Sequence, residues 1–204
     1  MGSKIGLFGG TFDPPHLGHL ILAQRLQVQA GLDRVIFIPA GQPPHKLNKT
    51  ITPAEHRLNM LRQAVANNPK FFISDWELGQ SGPCYTINTV RHFQQAQPED
   101  MFYWLIGSDT LAELPTWHQV EELIAAVDIL TGGRGGVPLD RVLEQLSKEL
   151  SPAAFRKLKG NIIRTPLIEI SSSEIRDLVS RGREIRYFVP KPVEEYIRKE
   201  GLYR

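Results

Sequence analysis

The sequence predicts a layered α/β fold around a doubly wound parallel sheet, on three observations. Short runs rich in β-branched and aromatic residues recur along the chain. Stretches with apolar residues at helical spacing separate them. The runs are apolar throughout, as strands covered by helices on both faces must be. A chain of 204 residues holds one full globular core, so a single domain over 1–204 is expected, with a small helical C-terminal subregion at about 166–204.

Taken in order, the first strand is expected at Lys4 to Gly9 and the first helix shortly after, with Leu17, Leu20 and Ile21 on its apolar side. Arg34 to Pro39 is the second strand. Thr52-Pro53-Ala54-Glu55 reads as a helix start, with an N-cap, a first-turn proline and a glutamate placed to close a capping box before Leu58, Leu61 and Val65. Strands follow at Phe71 to Trp76, Phe102 to Gly107, Val127 to Thr131 and Asn161 to Thr165. A helix carrying Ile87, Val90 and Phe93 begins at Thr86, and Asp109 is a candidate N-cap for a short helix at Thr110 to Leu114. Trp104, inside a strand run, is expected in the core. Gly132 to Gly136 reads as a flexible loop. Ser171-Ser172-Ser173-Glu174 is a second capping box, before Ile175, Leu178 and Val179, and a last helix from about Lys191 to Glu200 should stop at Gly201.

Charge excludes several classes. Lys and Arg number 24 against 22 Asp and Glu, which is not the composition of a disordered tail. Residues 1–150 carry 12 basic and 15 acidic side chains and residues 151–204 carry 12 and 7, so a polyanionic partner belongs nearer the C-terminal quarter. That basic quarter is interrupted by Glu184, Glu194, Glu195 and Glu200, the pattern of a solvated surface and not of a nucleic-acid-binding module. One cysteine, Cys84, allows neither an intrachain disulfide nor a cysteine-rich zinc site. The N-terminal residues lack a secretion signal, and every apolar run falls well short of the roughly 20 residues that span a bilayer. No membrane association and a cytoplasmic location are expected.

The chemistry concentrates in Gly9-Gly10-Thr11-Phe12-Asp13-Pro14-Pro15-His16-Leu17-Gly18-His19. Two glycines let the backbone bend tightly against a ligand, and the helix start beyond offers N–H groups and a positive dipole end to a phosphate. Neither GxxxxGK[ST] nor GxGxxG spacing occurs here. His16 and His19, three residues apart, would point to one side of a helix. As a metal pair they lack the third and fourth ligands zinc needs, so no metal site is expected; capping and packing are the plainer alternative. Asp13 suits a turn former.

Gly9 to His19 resembles the signature of the nucleotidylyltransferase superfamily, and Ile170-Ser171-Ser172-Ser173-Glu174-Ile175-Arg176 is similar to its second element, with Ser173 where threonine is usual. Within the superfamily the chain most resembles the bacterial nicotinate-nucleotide adenylyltransferases, through Pro43-Pro44-His45-Lys46, Tyr85-Thr86 and Gly107-Ser108-Asp109 with Leu114 and Trp117. It departs from that family at Arg134, where an arginine followed by proline would be expected, and at His118, where another aromatic is common.

The resemblance implies a Rossmann-like fold and the transfer of the adenylyl group of ATP to nicotinate mononucleotide, giving nicotinate adenine dinucleotide and pyrophosphate in NAD biosynthesis. It implies that Gly9, Gly10, Thr11 and Phe12 shape the ATP phosphate site. His16 and His19 would donate to the phosphates, and Lys46 would neutralise charge. Ser172, Ser173 and Arg176 would clamp the β- and γ-phosphates. Gly107, Asp109 and Arg134 would complete the ATP side. Lys46, Tyr85, Thr86, Asp109 and Trp117 would hold the mononucleotide. Mg²⁺ would arrive with ATP and keep phosphate and water as its ligands, and the family leaves room for a homo-oligomer. Taken alone, Lys46 suits a solvated loop, Arg176 an exposed helix face and Trp117 the core. Pantetheine-phosphate or nicotinamide-mononucleotide adenylyltransferase is the alternative activity within the superfamily.

Overall fold

A computed structural model describes residues 2–42, 51–133, 139–166 and 168–204. Six parallel strands form one sheet: β1 (Lys4–Gly10), β2 (Arg34–Pro39), β3 (Phe71–Ile73), β4 (Met101–Gly107), β5 (Asp128–Gly132) and β6 (Ile162–Ile163), in the order β3-β2-β1-β4-β5-β6. This is the doubly wound Rossmann-like arrangement. Helices α1 (Leu17–Gln29), α2 (Ala54–Val65), α3 (Thr86–Ala96), α4 (Ser108–Glu113) and α5 (Val120–Ala126) connect the first five strands; α6 (Leu139–Glu149) and α7 (Pro152–Gly160) lead into β6. The C-terminal pair is α8 (Ser172–Ser180) and α9 (Lys191–Glu200). None of the described helices is long and apolar enough to cross a membrane.

The apolar strand runs are covered on both faces, as expected. Ile5, Leu7, Ile36 and Ile38 join Trp104 and Ile129 in one core, while Phe8, Phe37 and Leu105 face the other with Leu22 and Leu26 of α1. A third cluster joins Met60 of α2 to Ile175 of α8 and to Val193 and Ile197 of α9, so the C-terminal helices pack against the main body through α2. Gly201, left-handed at φ 64°, ends α9 where the sequence placed its stop.

Four local expectations are corrected. β3 ends at Ile73, short of Trp76, because its ladder with β2 runs out. Val35 N–H bonds Lys70 C=O and Ser74 N–H bonds Phe37 C=O, and the next rung would need an N–H from Pro39, which has none. The chain then turns into a 3-10 helix at Trp76–Gly79. β6 likewise covers only Ile162–Ile163. In α1 the buried face is Leu22, Ala23 and Leu26, with Leu17, Leu20 and Ile21 only partly covered. The expected Thr52 cap is absent because Pro53 takes the cap position and the backbone of Thr52 is engaged elsewhere: its N–H bonds Asp13 Oδ2 at 3.2 Å and its C=O accepts from Arg57 Nε at 3.0 Å.

Candidate active site

Strand order reverses between β1 and β4, so the connections at their carboxyl ends diverge and leave a crevice, the place where open α/β sheets bind ligands. A cavity of about 310 Å³ lies there. Gly9, Gly10, Trp104 and Gly107, from the ends of β1 and β4, make its floor; Thr11 and His19 border one rim, and Thr86, Asp109 and Trp117 the other. A Cβ on Gly9 would stand 2.7 Å from Trp104 Cζ2, so glycine there lets the indole pass beneath the loop. Trp104 is a core residue as expected and also the cavity floor. An apolar strand gives no sign of that second role.

The loop from Thr11 to His16 holds an unusual backbone. Phe12 is left-handed at φ 49°, a conformation costly for a side chain of that size. Its ring is buried below the cavity wall and stands edge-on to His19 at 5.1 Å. His16 is the N-cap of α1, in extended conformation, and its ring stacks on His19 with centroids 3.6 Å apart. The two imidazoles therefore share one side, as the spacing predicts. They are not equivalent: His19 borders the cavity, whereas His16 is 1% exposed and stands behind it. The His16 N–H donates to His19 Nδ1 at 3.2 Å. An imidazole that accepts at Nδ1 carries its hydrogen on Nε2, so His19 brings a donor to the phosphate rim.

The second motif docks on the outside of the same loop. Ser172 Oγ donates to Pro14 C=O at 2.9 Å and Arg176 Nη1 to Asp13 C=O at 2.7 Å. Ser171 caps α8 by accepting from Glu174 N–H at 3.1 Å, as expected, and its hydroxyl lies 3.2 Å from that of Ser173. The two motifs, some 150 residues apart, do meet. Ser172 and Arg176 reach the loop, and none of Ser172, Ser173 and Arg176 lines the cavity. Arg57, 2% exposed, supports the loop from α2 by donating Nη1 to Thr11 C=O at 2.9 Å. Burial pulls its pKa down and the charge of Asp13 opposes that pull. Sequence reasoning missed Arg57, a mid-helix arginine with no local pattern to mark it.

On the opposite rim α3 starts at Thr86, with Tyr85 at its N-cap and no side-chain cap among the described residues. The first N–H groups of a helix have no partner within it, and Tyr85 and Thr86 both border the cavity. The Tyr85 ring packs on His118 at 4.2 Å. Asp109 sits in the first turn of α4, whose N-cap is Gly107, so the expected cap at Asp109 is replaced. Glu77, unmarked in the sequence, is a buried carboxyl on this wall and accepts from Thr89 Oγ1 at 2.6 Å. Burial raises its pKa, against the lowering effect of the bonds from Thr89 and the Gly41 backbone. Burial also pushes the Cys84 thiol up, away from nucleophilic use. Lys46, with Pro43, Pro44 and His45, and Arg134 lie outside the described residues.

Comparison with known proteins identifies the family and the fold. The cytidylyltransferase-like family model matches residues 7–178. A relative from Thermomicrobium roseum, named probable nicotinate-nucleotide adenylyltransferase, is 43% identical over 99% of this chain and 92% of its own length. One of the same name from a Thermoanaerobacter strain is 40% identical over 98% and 94%. Among solved structures, the nicotinic acid mononucleotide adenylyltransferase of Plasmodium falciparum, complexed with NaAD, superposes with a TM-score of 0.77 over 98% of this chain and 97% of that one. At 22% identity it speaks for the fold.

Proposed function

The chain belongs to the cytidylyltransferase-like family and, within it, to the nicotinate-nucleotide adenylyltransferases, and on that premise we infer that it transfers the adenylyl group of ATP to nicotinate mononucleotide, releasing pyrophosphate and supplying NAD biosynthesis. The observation that carries this reading is one cavity with a histidine donor and glycine loop on one rim and, on the other, a tryptophan beside a helix start that has no side-chain cap among the described residues.

The chemistry follows from charge. An oxygen of the mononucleotide 5′-phosphate attacks the α-phosphorus of ATP; the bond from that phosphorus to the β-phosphate oxygen breaks, and pyrophosphate leaves with the electron pair. A phosphate monoester has its second pKa near about 6, so the nucleophile is already largely dianionic at neutral pH and needs no general base. The barrier is electrostatic, and donors fixed in place where charge develops lower it. His19 Nε2–H is assigned to the α-phosphoryl oxygens. Thr11 and the Gly9-Gly10 backbone line the phosphate path, and Lys46 is assigned to neutralising its charge. ATP enters as its Mg²⁺ complex, the metal held by phosphate and water. Arg176 engages Asp13 with one guanidinium nitrogen and, with Ser173, is assigned to the far end of the triphosphate. His16 acts through His19 and Phe12 through the loop, so both position and neither touches substrate.

Trp117 is assigned to the pyridine ring and the first N–H groups of α3 to its carboxylate, an acceptor that helix donors favour over an amide. Asp109 is assigned to a ribose hydroxyl. The test is kcat/KM with MgATP for three acceptors: nicotinate mononucleotide, nicotinamide mononucleotide and phosphopantetheine. Preference for the first is expected. Turnover of phosphopantetheine alone would overturn the assignment.

A further inference from the structure

One residue far from either motif reaches the phosphate loop. Beyond α9 the chain is redirected by Gly201, at φ 64°, and by Tyr203, at φ 66°, a left-handed conformation rare for a tyrosine. The turn carries the Tyr203 phenol to Asp13, where its O–H donates to Oδ1 at 2.7 Å. The other carboxylate oxygen of Asp13 accepts from Thr52 N–H, and the Thr52 side chain also hydrogen-bonds the Tyr203 phenol. Asp13 is buried, so each of these bonds is made where water competes little, and a hydrogen bond to a charged group is among the stronger kinds. Burial, and the Asp13 carboxylate beside it, hold the phenol pKa well above its ordinary value, which keeps the O–H a donor across the physiological range.

Strain makes the contact informative. Phe12, immediately before Asp13, and Tyr203 are both non-glycine residues in the left-handed region. Such residues persist where the surroundings over-determine them, and they cluster at sites whose geometry matters. Here the over-determination converges on one short loop, whose far end is the N-cap His16 that fixes the ring of His19.

We propose that Tyr203 is a positioning residue for ATP: through Asp13 it holds the Thr11 to His16 loop, and with it the His19 ring, in the shape that receives the triphosphate. The proposal rests on the adenylyl-transfer reading. Tyr203 is not among the residues that line the cavity, and its effect belongs to one substrate only, because α1 and α3, which carry the two rims, pack on opposite faces of the sheet.

The test compares the wild type with Tyr203→Phe, Asp13→Asn and the double variant. Phenylalanine keeps the ring that packs on the C-terminal cluster and removes only the hydroxyl. The expected result for Tyr203→Phe is a roughly tenfold fall in kcat/KM for MgATP, the size of a lost hydrogen bond to a charged partner. KM for nicotinate mononucleotide should be unchanged, the melting temperature lowered by a few degrees because a buried oxygen of Asp13 loses its donor, and the double variant no worse than Asp13→Asn alone. An unchanged kcat/KM for MgATP would overturn the proposal. So would equal losses for both substrates, or losses that multiply in the double variant. Calorimetric affinity for a non-hydrolysable ATP analogue gives the same comparison without turnover. A wild type inactive on the mononucleotide would defeat the adenylyl-transfer reading while leaving that binding measurement to decide on Tyr203.

Discussion

The two rims of the cleft are built by different means. The phosphate loop is tied to residues distant in sequence: Thr52 reaches Asp13 across 39 positions, Arg57 reaches Thr11 across 46, and Ser172, Arg176 and Tyr203 reach Pro14 or Asp13 across 158, 163 and 190. Among the described residues the facing rim has fewer such ties: Thr89 bonds Glu77 across 12 positions and Cys84 the Glu77 carbonyl across 7, the backbones of Gly41 and Gln42 join Glu77 and Cys84 across 36 and 42, and Asp109 and His118 stay exposed. A loop fixed by distant parts of the chain takes its geometry from the whole fold, and such preorganisation lets fixed donors stabilise developing charge without rearranging. A rim that recognises one ring and one carboxylate needs only an aromatic face and a helix start.

The largest expected effect falls on the rigid rim. Replacing His19 with alanine removes the Nε2–H donor, and a positioned donor of this kind is worth on the order of 10² to 10³ in kcat. Steady-state kinetics should show that loss with the fold retained by circular dichroism; near-normal turnover would take His19 out of the mechanism and with it the functional contrast between the rims.

The next effect probes the fastening itself. Arg57→Met keeps much of the aliphatic volume but removes the bonds that the guanidinium donates to the carbonyls of Thr11 and Thr52. Losing two part-buried bonds from a charged donor should cost about 2 to 3 kcal/mol in a urea unfolding experiment. KM for MgATP should rise in parallel. Wild-type stability in this variant would mean that the loop keeps its shape without α2, and that its distant ties are incidental.

Legibility in the sequence follows the same division. Periodicity and composition gave β2 its observed bounds and put the end of α9 at Gly201, because those signals are local. The spacing of His16 and His19 placed both rings on one side, yet could not tell which faces the cavity, since that depends on the cap conformation of His16. Arg57, Glu77 and Tyr203 carried no signal at all. Each acts through a partner brought near only by the fold, and an arginine between His56 and Leu58 or a tyrosine two residues past Gly201 looks ordinary until the sheet has closed. Thr52 failed as a cap for a related reason: Pro53 takes the cap position and the Thr52 side chain bonds Tyr203, a tertiary partner invisible from the dipeptide.

The smallest effect comes from the facing rim and concerns pH. The Glu77 carboxyl has its pKa raised from 4.5 in the folded chain, chiefly by burial. A raised value means that the native state holds this proton more tightly than the unfolded state does. The associated stabilisation is therefore present in full below the ordinary carboxylate value, and is lost as pH rises through the native one. Glutamine cannot titrate and retains an oxygen to accept from Thr89, so wild-type stability measured against Glu77→Gln should fall as the pH of the urea titration is raised from about 4.5 toward neutrality. A difference that stays flat, or grows with pH, would show that the Thr89 and Gly41 bonds outweigh burial. KM for MgATP should move less in Glu77→Gln than in Arg57→Met, because Glu77 fastens the rim that lacks the phosphate loop. Equal shifts in the two variants would make the rims one mechanical unit, and the distant ties to Asp13 would then have no special bearing on how ATP is held.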